Sequence, residues 1–402
     1  MTRVVFRGGQ ALIGRGFSRR DVVAHDGVIV GEAVETVSGD EGSDRDLVID
    51  ATDLVIAPGF VDLQINGAFG LDLSSDPSSM WDLAALLPRL GVTSFLPTII
   101  TAPPARYHEA IEALAAPPAT LRARATPIGL HFEGPMLNPL RVGAHPIEHL
   151  RLPHLDLIDG WNRARGVTLV TLAPELAGAY EVVAELRRRG VVVSAGHTDA
   201  DSAEAGAAFG AGISLVTHLF NAMAPFGHRA PSLVGAALTN PDVTVGVIVD
   251  GVHVDPVAVD LVWRAKGPDG LLLVTDAVAP MALDQAAASE PTLGAHSVRS
   301  DGTSVRRLDG TLAGSLLAMG EAVRNLVAFT GCSVSAALRC ASTIPADVIG
   351  DRTRGRISRG AIADLVVLND ALEVQMTFCA GVPVYIAESA AGRLNRPVCT
   401  SE

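Results

Sequence analysis

Five short polar motifs in this chain each follow an apolar, β-branched run of about strand length. In chain order they span residues 129–135 (GLHFEGP), 194–198 (SAGHT), 217–223 (THLFNAM), 250–253 (DGVH) and 274–277 (VTDA). Glu133, His197 and His218 offer one carboxylate and two imidazoles, a ligand set that holds a catalytic zinc-like ion and leaves a fourth position open. The motifs therefore predict a metal centre assembled from the ends of three separate strands.

The surroundings of these ligands favour a functional role. A carboxylate such as Glu133, directly after the apolar stretch 128–132, is costly to bury unless it is paired or coordinated. A single histidine at a strand end is usually only a satisfied polar residue, but His197 and His218 follow neighbouring strands. A divalent ion would lower the pKa of water towards about 7 and polarise a carbonyl group. The predicted chemistry is therefore hydrolysis of an amide.

Four further residues have types that suit the rest of such a reaction. Asp276 ends the eighth apolar run, where a carboxylate can take a proton from water and return it to a leaving nitrogen. The competing interpretation of Asp276 is a helix N-cap. His145 lies in the loop after the third run, within reach of a substrate carbonyl. Arg229 and His253 could each bind phosphate or carboxylate, although either residue alone is more typical of a surface.

Eight apolar runs alternate with longer segments rich in Ala, Leu and Arg. The runs cover residues 60–65, 92–99, 127–132, 167–172, 191–195, 213–217, 243–249 and 270–275. The segments of helical character include residues 81–90, 105–115, 180–189 and 256–265. Near-continuous hydrophobicity is what strands buried on both faces require. The alternation predicts an α/β fold, a parallel (β/α)₈ barrel of the metal-dependent hydrolase type, in which catalytic residues converge at the carboxyl ends of the strands.

The two chain ends differ from the middle, because they contain short strand-like runs separated by Gly and Asp. These runs lie at residues 3–6, 21–25, 28–30, 47–49, 363–368, 373–378 and 382–386. Two small sheets would have to pack together to bury their apolar faces. We predict a small β-sandwich domain from residues 1–56 and 355–402, and a barrel domain from residues 57–354. A loop or hairpin is predicted at residues 284–311, after the eighth strand.

Composition and charge exclude several classes of protein. Hydrophobic residues make up 48% of the chain and charged ones 19%, which suits a large buried core. The net charge of −13 argues against a nucleic-acid or anionic-membrane partner. Residues 1–7 lack the apolar core of a signal peptide. The uncharged stretch 205–227 has the length of a membrane span, but its glycines indicate a helix end, a strand and a loop. We expect a soluble, cytoplasmic protein.

Together these motifs resemble those of the amidohydrolase superfamily, and within it the N-acetylglucosamine-6-phosphate deacetylase family. The similarity runs from residues 57–67 (APGFVDLQING) through the five motifs to residues 312–315, 322–326 and 360–366. The motif at 217–223 is the most specific to the family. The resemblance implies a deacetylase of amino-sugar catabolism that converts N-acetylglucosamine 6-phosphate to glucosamine 6-phosphate and acetate. It also implies a distorted barrel and usually a homodimer.

The resemblance further implies roles for individual residues. Glu133, His197 and His218 would hold one divalent ion per subunit, most naturally zinc, with iron, manganese or cobalt as other candidates. Asp276 would serve as general base and then as general acid, and His145 would polarise the acetyl carbonyl. The residues implied in substrate binding are His145, Asn221, Ala222, Arg229, His253 and Leu312. The family counterpart of His253 reaches into the neighbouring subunit's site, so dimerisation would be part of catalysis.

One departure from the wider superfamily bears on the number of metal ions. Gln64 and Asn66 stand where many members carry a His-x-His pair for a second metal. Neutral amides are poor ligands compared with imidazole. We therefore predict one tightly bound ion per subunit, and the sequence leaves open a second, weak site near Gln64 and Asn66.

Two alternative functions stay open at this point. The loops at residues 136–141, 145–146 and 280–288 differ from the family pattern, which leaves room for another substrate. That substrate would be a different N-acyl amino sugar, such as N-acetylgalactosamine 6-phosphate, or a different small amide. The second alternative is a non-catalytic barrel. Such proteins typically lose a metal ligand or the aspartate after the eighth strand, and this chain keeps all four residues.

Overall fold

The computed structural model of the chain describes residues 3–33, 46–118, 123–283, 292–294 and 296–395. The first part contains seven short strands among these residues. They are β1 (Arg3–Arg7), β2 (Gln10–Ile13), β3 (Gly16–Ser18), β4 (Asp21–His25), β5 (Val28–Ala33), β6 (Leu47–Asp50) and β7 (Val55–Pro58). Each predicted run of this region becomes a strand, and the consecutive apolar residues in the middle of β1 and β4 are buried.

The middle of the chain forms the barrel, built on eight main parallel strands. The strands of this region are β8 (Phe60–Ile65), β9 (Gly67–Ala68), β10 (Leu71–Asp72), β11 (Val92–Ile99), β12 (Thr126–Pro127), β13 (Leu130–Glu133), β14 (Val167–Leu172), β15 (Val192–Ala195), β16 (Leu215–Val216), β17 (Thr244–Val247) and β18 (Leu271–Leu273). Pairing runs β8, β11, β13, β14, β15, β16, β17 and β18, with β12 also beside β11. Ile65 bridges Ala277, so the chain after β18 returns to β8 and the barrel is nearly closed.

Helices follow most barrel strands. They are α1 (Met80–Leu86), α2 (Pro104–Ala115), α3 (Ala179–Arg188), α4 (Ser202–Gly210), α5 (Ser232–Thr239), α6 (Pro256–Lys266), α7 (Met319–Thr330), α8 (Val334–Cys340) and α9 (Thr343–Val348). Local chemistry sets their starts: a capping box of Asp201 and Glu204 begins α4, and Asp255 followed by Pro256 begins α6. The predicted helix at 81–90 is α1 followed by a 3₁₀ turn, because Pro88 cannot continue the α-helical hydrogen bonds.

An insertion after β18 forms a small antiparallel sheet. Its strands are β19 (Thr292–Leu293), β20 (His296–Ser300) and β21 (Val305–Arg307). One face carries its own small core, in which Val298 and Val305 pack with Leu293 and with Ile100 of the barrel. This agrees with the hairpin predicted at 284–311, of which residues 284–291 and 295 lie outside the described residues.

The C-terminal strands complete the structure begun at the N-terminus. They are β22 (Leu365–Leu368), β23 (Val374–Cys379), β24 (Val382–Ile386) and β25 (Leu394–Asn395). One sheet has the order β25-β6-β1-β4-β5 and the other β24-β23-β22-β7-β2-β3. Phe6 of the first sheet contacts Phe378 of the second edge-to-face, with ring centroids 4.7 Å apart, inside a shared core. The predicted barrel with a small β-sandwich from both chain ends is confirmed.

The predicted domain limits after residues 56 and 354 stay a prediction, and β7 straddles the first of them. Residues 205–227 form the end of α4, then β16 and a loop, in agreement with the sequence interpretation. Within the described ranges, no helix has both the length and the apolar character needed to cross a bilayer.

Candidate metal centre and active site

The four residues predicted to carry the chemistry lie at one end of the barrel. Glu133 is the last residue of β13, and His197 and His218 each follow the last residue of their strand by two positions. Asp276 follows β18 by three positions. Because parallel strands of a barrel end on the same side, these separate positions meet in one cavity, which has a volume of about 450 Å³.

Three of these residues have an unusual backbone conformation. His197, His218 and Asp276 have φ angles of +50°, +29° and +48°. This left-handed backbone conformation is unfavourable for residues other than glycine and costs about 1–3 kcal/mol per residue. Neighbouring backbone groups hold two of them in place: Asn138 N–H donates to the His197 carbonyl, and Asp276 N–H donates to the Gln64 carbonyl, both at 2.9 Å. The fold therefore maintains a strained backbone where the candidate catalytic side chains begin.

The predicted metal ligands lie close together. Glu133 Oε1 lies 3.1 Å from His197 Nε2 and 2.9 Å from His218 Nε2, and the two Nε2 atoms are 3.1 Å apart. The ligand atoms of all three residues lie within 4.8 Å of one another, and all three residues are buried. A carboxylate oxygen and two imidazole nitrogens converging on one point form a site that a single cation can occupy.

The surroundings of the triad set the ionisation of His197 and Glu133. His197 Nδ1 lies 2.9 Å from the carbonyl oxygen of Arg141, which can only accept, so Nδ1 carries the proton and Nε2 keeps its lone pair. Burial by itself raises the pKa of Glu133, but the adjacent imidazole rings of His145, His197 and His218 outweigh it and hold this pKa well below its ordinary value. Glu133 is therefore a carboxylate, and the residues present fit a divalent ion.

Asp276 lies beside the triad and receives two side-chain amide donors. Asn66 Nδ2 donates to Asp276 Oδ1 at 2.7 Å, and Gln64 Nε2 donates to the same oxygen at 3.1 Å and to Glu133 Oε1 at 3.2 Å. Burial and then the nearby charge of Glu133 raise the pKa of Asp276 to about 6. No helix begins at Asp276 within residues 276–283, so the N-cap interpretation is wrong. A carboxylate with this pKa can exchange protons near neutral pH.

His145 faces the triad with a defined ring nitrogen. The backbone N–H of Thr101 donates to His145 Nδ1 at 3.2 Å, so the proton of the neutral ring lies on Nε2. Burial, and then the neighbouring His197, lower the pKa of His145 to about 4. Nε2 lies 3.7 Å from Glu133 Oε2. His145 is therefore a neutral N–H donor that faces the interior of the cavity.

The cavity brings together most of the residues predicted to bind substrate, but not all of them. Asn221, Ala222 and Leu312 line it. Arg229 does not: it is exposed, on the loop before α5, and is absent from the cavity wall. This placement does not bring Arg229 into contact with a substrate in the cavity of its own chain. The loop leads outward because Pro225 and Pro231 flank a turn in which Gly227 and Ala230 exchange backbone hydrogen bonds.

His253 is held at the cavity by its own chain. It lines the cavity of its own chain and is almost fully buried. Its Nδ1 lies 2.6 Å from Asp250 Oδ2, and its backbone N–H donates to Asp250 Oδ1 at 2.7 Å. The implied contribution of His253 to a neighbouring subunit's site stays a prediction.

Comparison with known proteins identifies the family. The model of the amidohydrolase family matches residues 55–384. Human N-acetylglucosamine-6-phosphate deacetylase is 40% identical over 351 residues, which cover 84% of this chain and 85% of the human one. The chain belongs to the N-acetylglucosamine-6-phosphate deacetylase family of amidohydrolases. This confirms the family resemblance that the motifs indicated.

Two other members of this deacetylase family bear on the substrate. A structure of a mutant N-acetyl-D-glucosamine-6-phosphate deacetylase from Mycobacterium smegmatis, in complex with N-acetyl-D-glucosamine-6-phosphate, is 31% identical with a TM-score of 0.86 and covers 96% of this chain and 100% of that one. N-acetylgalactosamine-6-phosphate deacetylase of a Shewanella species is 35% identical over 371 residues, 91% of each protein. Relatives named for two sugar epimers therefore have similar identity to this chain.

Sequence reasoning missed several residues of this deacetylase-family site. Thr101, which orients His145, belongs to none of the sequence motifs. Gln64 and Asn66 were recognised only as poor metal ligands, whereas they are the donors that hold Asp276. Arg306 lines the cavity from the insertion, and only the abundance of polar residues there hinted at a role. Of the divergent loop 280–288, residues 284–288 lie outside the described part of the chain.

Proposed function

We propose that this protein is a metal-dependent hydrolase that removes the N-acetyl group of N-acetylglucosamine 6-phosphate to give glucosamine 6-phosphate and acetate. The observation that carries the proposal is the convergence of Glu133, His197 and His218 with Asp276 and His145 in one cavity. The family membership and the substrate complex of the Mycobacterium smegmatis relative support it.

Glu133, His197 and His218 would hold one divalent ion, for which we propose zinc because two histidines and a glutamate suit it. When bound, the ion supplies a water of lowered pKa and a Lewis acid for the carbonyl. Gln64 and Asn66 already donate hydrogen bonds to Asp276. Amide groups used in this way favour one ion per chain over two.

Asp276 and His145 would share the remaining work. Asp276 takes a proton from the attacking water as the new C–O bond forms, and gives that proton to the nitrogen as the C–N bond breaks. Both amide donors contact Oδ1, so Oδ2 can carry the proton. His145 Nε2–H would donate to the acetyl oxygen, where negative charge develops. Acetate and the free amine are the products.

Asn221, Ala222, His253 and Leu312 would contact the sugar and its phosphate, since they line the same cavity. The exposed Arg229 could reach a substrate only in a neighbouring subunit, so its part in binding depends on the homodimer that we also propose. We also propose that the protein is cytoplasmic and that its domains meet after residues 56 and 354. Sedimentation of the purified protein tests the dimer.

The first experiment measures acetate release from N-acetylglucosamine 6-phosphate and from unphosphorylated N-acetylglucosamine. It uses metal-reconstituted protein with the Asp276→Asn variant as control. The proposal expects a rate that needs both the phosphate and Asp276. Absence of activity on both sugars, with one metal ion bound per chain, would refute the sugar phosphate as the substrate.

A second candidate substrate is N-acetylgalactosamine 6-phosphate, because the Shewanella relative named for it is 35% identical over 91% of this chain. The same metal centre would serve either epimer. Including this sugar in the assay decides between them, since a higher kcat/KM for the galactosamine derivative would reassign the substrate without changing the mechanism.

A further inference from the structure

We infer that Arg306 contacts the anionic end of the substrate and makes the enzyme selective for a phosphorylated sugar. This inference rests on the proposed function and names the residue that would supply a phosphate contact within a single chain. It arises from the insertion after β18, whose described part forms one wall of the cavity through Leu293, Arg306, Thr311 and Leu312.

The strand β21 directs Arg306 towards the cavity. Val305, its neighbour, is fully buried and packs into the small core that joins the insertion to Ile100. Because side chains alternate along a strand, Arg306 takes the opposite face. Its backbone forms an antiparallel bridge with Leu312, another residue of the cavity wall. The position of Arg306 is therefore fixed by a packed element.

The guanidinium group of Arg306 is oriented without being neutralised. Its Nε donates to Ser304 Oγ at 3.2 Å and its Nη1 donates to the carbonyl oxygen of Gly310 at 2.9 Å. Both acceptors are uncharged, and no carboxylate among the described residues forms an ion pair with Arg306. Other arginines differ, since Arg339 pairs with Asp269 at 2.7 Å and Arg141 pairs with Asp199 at 2.6 Å. Arg306 keeps its charge available for an anion.

The charges of the cavity give this arginine its importance. Glu133 and Asp276 are both in the cavity, where the divalent ion proposed for the triad would offset their charge, and the chain as a whole has a net charge of −13. Among the described residues that line the cavity, Arg306 is the single arginine or lysine. A permanent side-chain cation on the wall that the insertion forms would retain a phosphorylated sugar and leave its acetamido end free to reach the metal centre.

The neighbouring strand adds to this positive potential. Arg299 of β20 is the direct cross-strand partner of Arg306, so the two side chains leave the same face of the hairpin. Like charges in this relation destabilise a sheet unless something offsets them. Arg299 likewise forms no ion pair with a carboxylate in the part of the chain that the structure describes. An anion at the cavity mouth would offset the repulsion between the two arginines.

The test compares steady-state kinetics of Arg306→Gln with the wild type on N-acetylglucosamine 6-phosphate and on N-acetylglucosamine. Loss of a charge-assisted hydrogen bond should raise KM for the phosphorylated sugar by about tenfold to a hundredfold. We expect kcat for that sugar, and kcat/KM for the unphosphorylated one, to stay within a factor of about three. Arg306→Lys should recover part of the loss, because it restores charge without the planar fork.

Arg264→Gln is the matched control, since Arg264 is an exposed arginine of α6 outside the cavity wall and should leave both substrates unaffected. An Arg306→Gln variant that keeps the wild-type KM for the phosphorylated sugar, or loses activity equally on both sugars, would overturn the inference. The proposed function fails separately: in that case the wild type itself would show no preference for the phosphorylated sugar. If Arg229→Gln alone removes that preference, the phosphate contact belongs to Arg229 and not to Arg306.

Discussion

The deep end of the cavity and its mouth are built in different ways. At the deep end Glu133, His197 and His218 are buried and Asp276 is half-buried, and all four stand at or just beyond the ends of barrel strands. The mouth includes Arg306 and other residues of an insertion that has only a small core of its own. The residues of the chemical step are thus held by the barrel, and the residues that select the substrate are held by the inserted hairpin.

The two regions also differ in how they use hydrogen bonds. At the deep end the amide groups of Gln64 and Asn66 donate to Asp276, and the backbone of three functional residues is held at positive φ angles that cost about 1–3 kcal/mol each. At the mouth, Arg306 contacts only a hydroxyl and a carbonyl oxygen. This comparison predicts that substitutions at the deep end change metal binding and kcat, and that substitutions at the mouth change KM.

The largest effect should come from His197→Ala, which removes one of three ligands. Loss of an outer-shell partner alone typically lowers metal affinity about 10–100-fold, so removal of the ligand itself should cost more and abolish activity. Elemental analysis after dialysis measures the metal content. His154→Ala, at an exposed histidine, is the control. A variant that retains one tightly bound ion per chain would show that His197 is not a ligand.

Asp276→Asn should leave the metal in place and still reduce kcat by about 10²–10⁴-fold, because it removes the proton carrier and keeps the shape of the side chain. Single-turnover acetate release together with metal analysis separates this effect from ligand loss. The opposite result, a variant that turns over within tenfold of the wild type, would assign the proton to another group.

The pH dependence of the wild type should follow Asp276. Burial and then the charge of Glu133 raise its pKa to about 6, and a bound cation would lower that value. A base acts only when ionised, so kcat/KM should be flat at neutral pH and fall about tenfold per pH unit below an apparent pKa of 6 or lower. The residual activity of Asp276→Asn should lack this limb, provided that metal content is constant over the range.

The deep end was largely predictable from the sequence. Continuous apolar runs specify strands buried on both faces, and residues 60–65, 92–99 and 167–172 have the same limits in the structure as predicted. Polar residues directly after such runs must meet at one end of the barrel. The predicted ligands Glu133, His197 and His218 do meet, because the barrel topology alone brings them together.

The mouth was not predictable in the same way. Arg306 lies in a short antiparallel hairpin whose polar composition carries no clear periodicity, and the role of Arg229 was implied only by the family resemblance. The role of Asn66 also depends on a hydrogen bond to Asp276 across 210 residues, a contact that no local pattern specifies. Side-chain partners across the barrel follow from register and rotamers, which the sequence pattern does not encode.

The smallest effect should come from Leu312→Ala, at a half-buried residue of the mouth. It removes apolar contact with the sugar but no charge and no ligand, so we expect KM to rise about threefold to tenfold with kcat nearly unchanged. Steady-state kinetics on N-acetylglucosamine 6-phosphate measure both constants. A fall in kcat of more than tenfold at constant KM would mean that the insertion takes part in the chemical step. The assignment of the chemical step to the barrel and of substrate binding to the mouth would then be wrong.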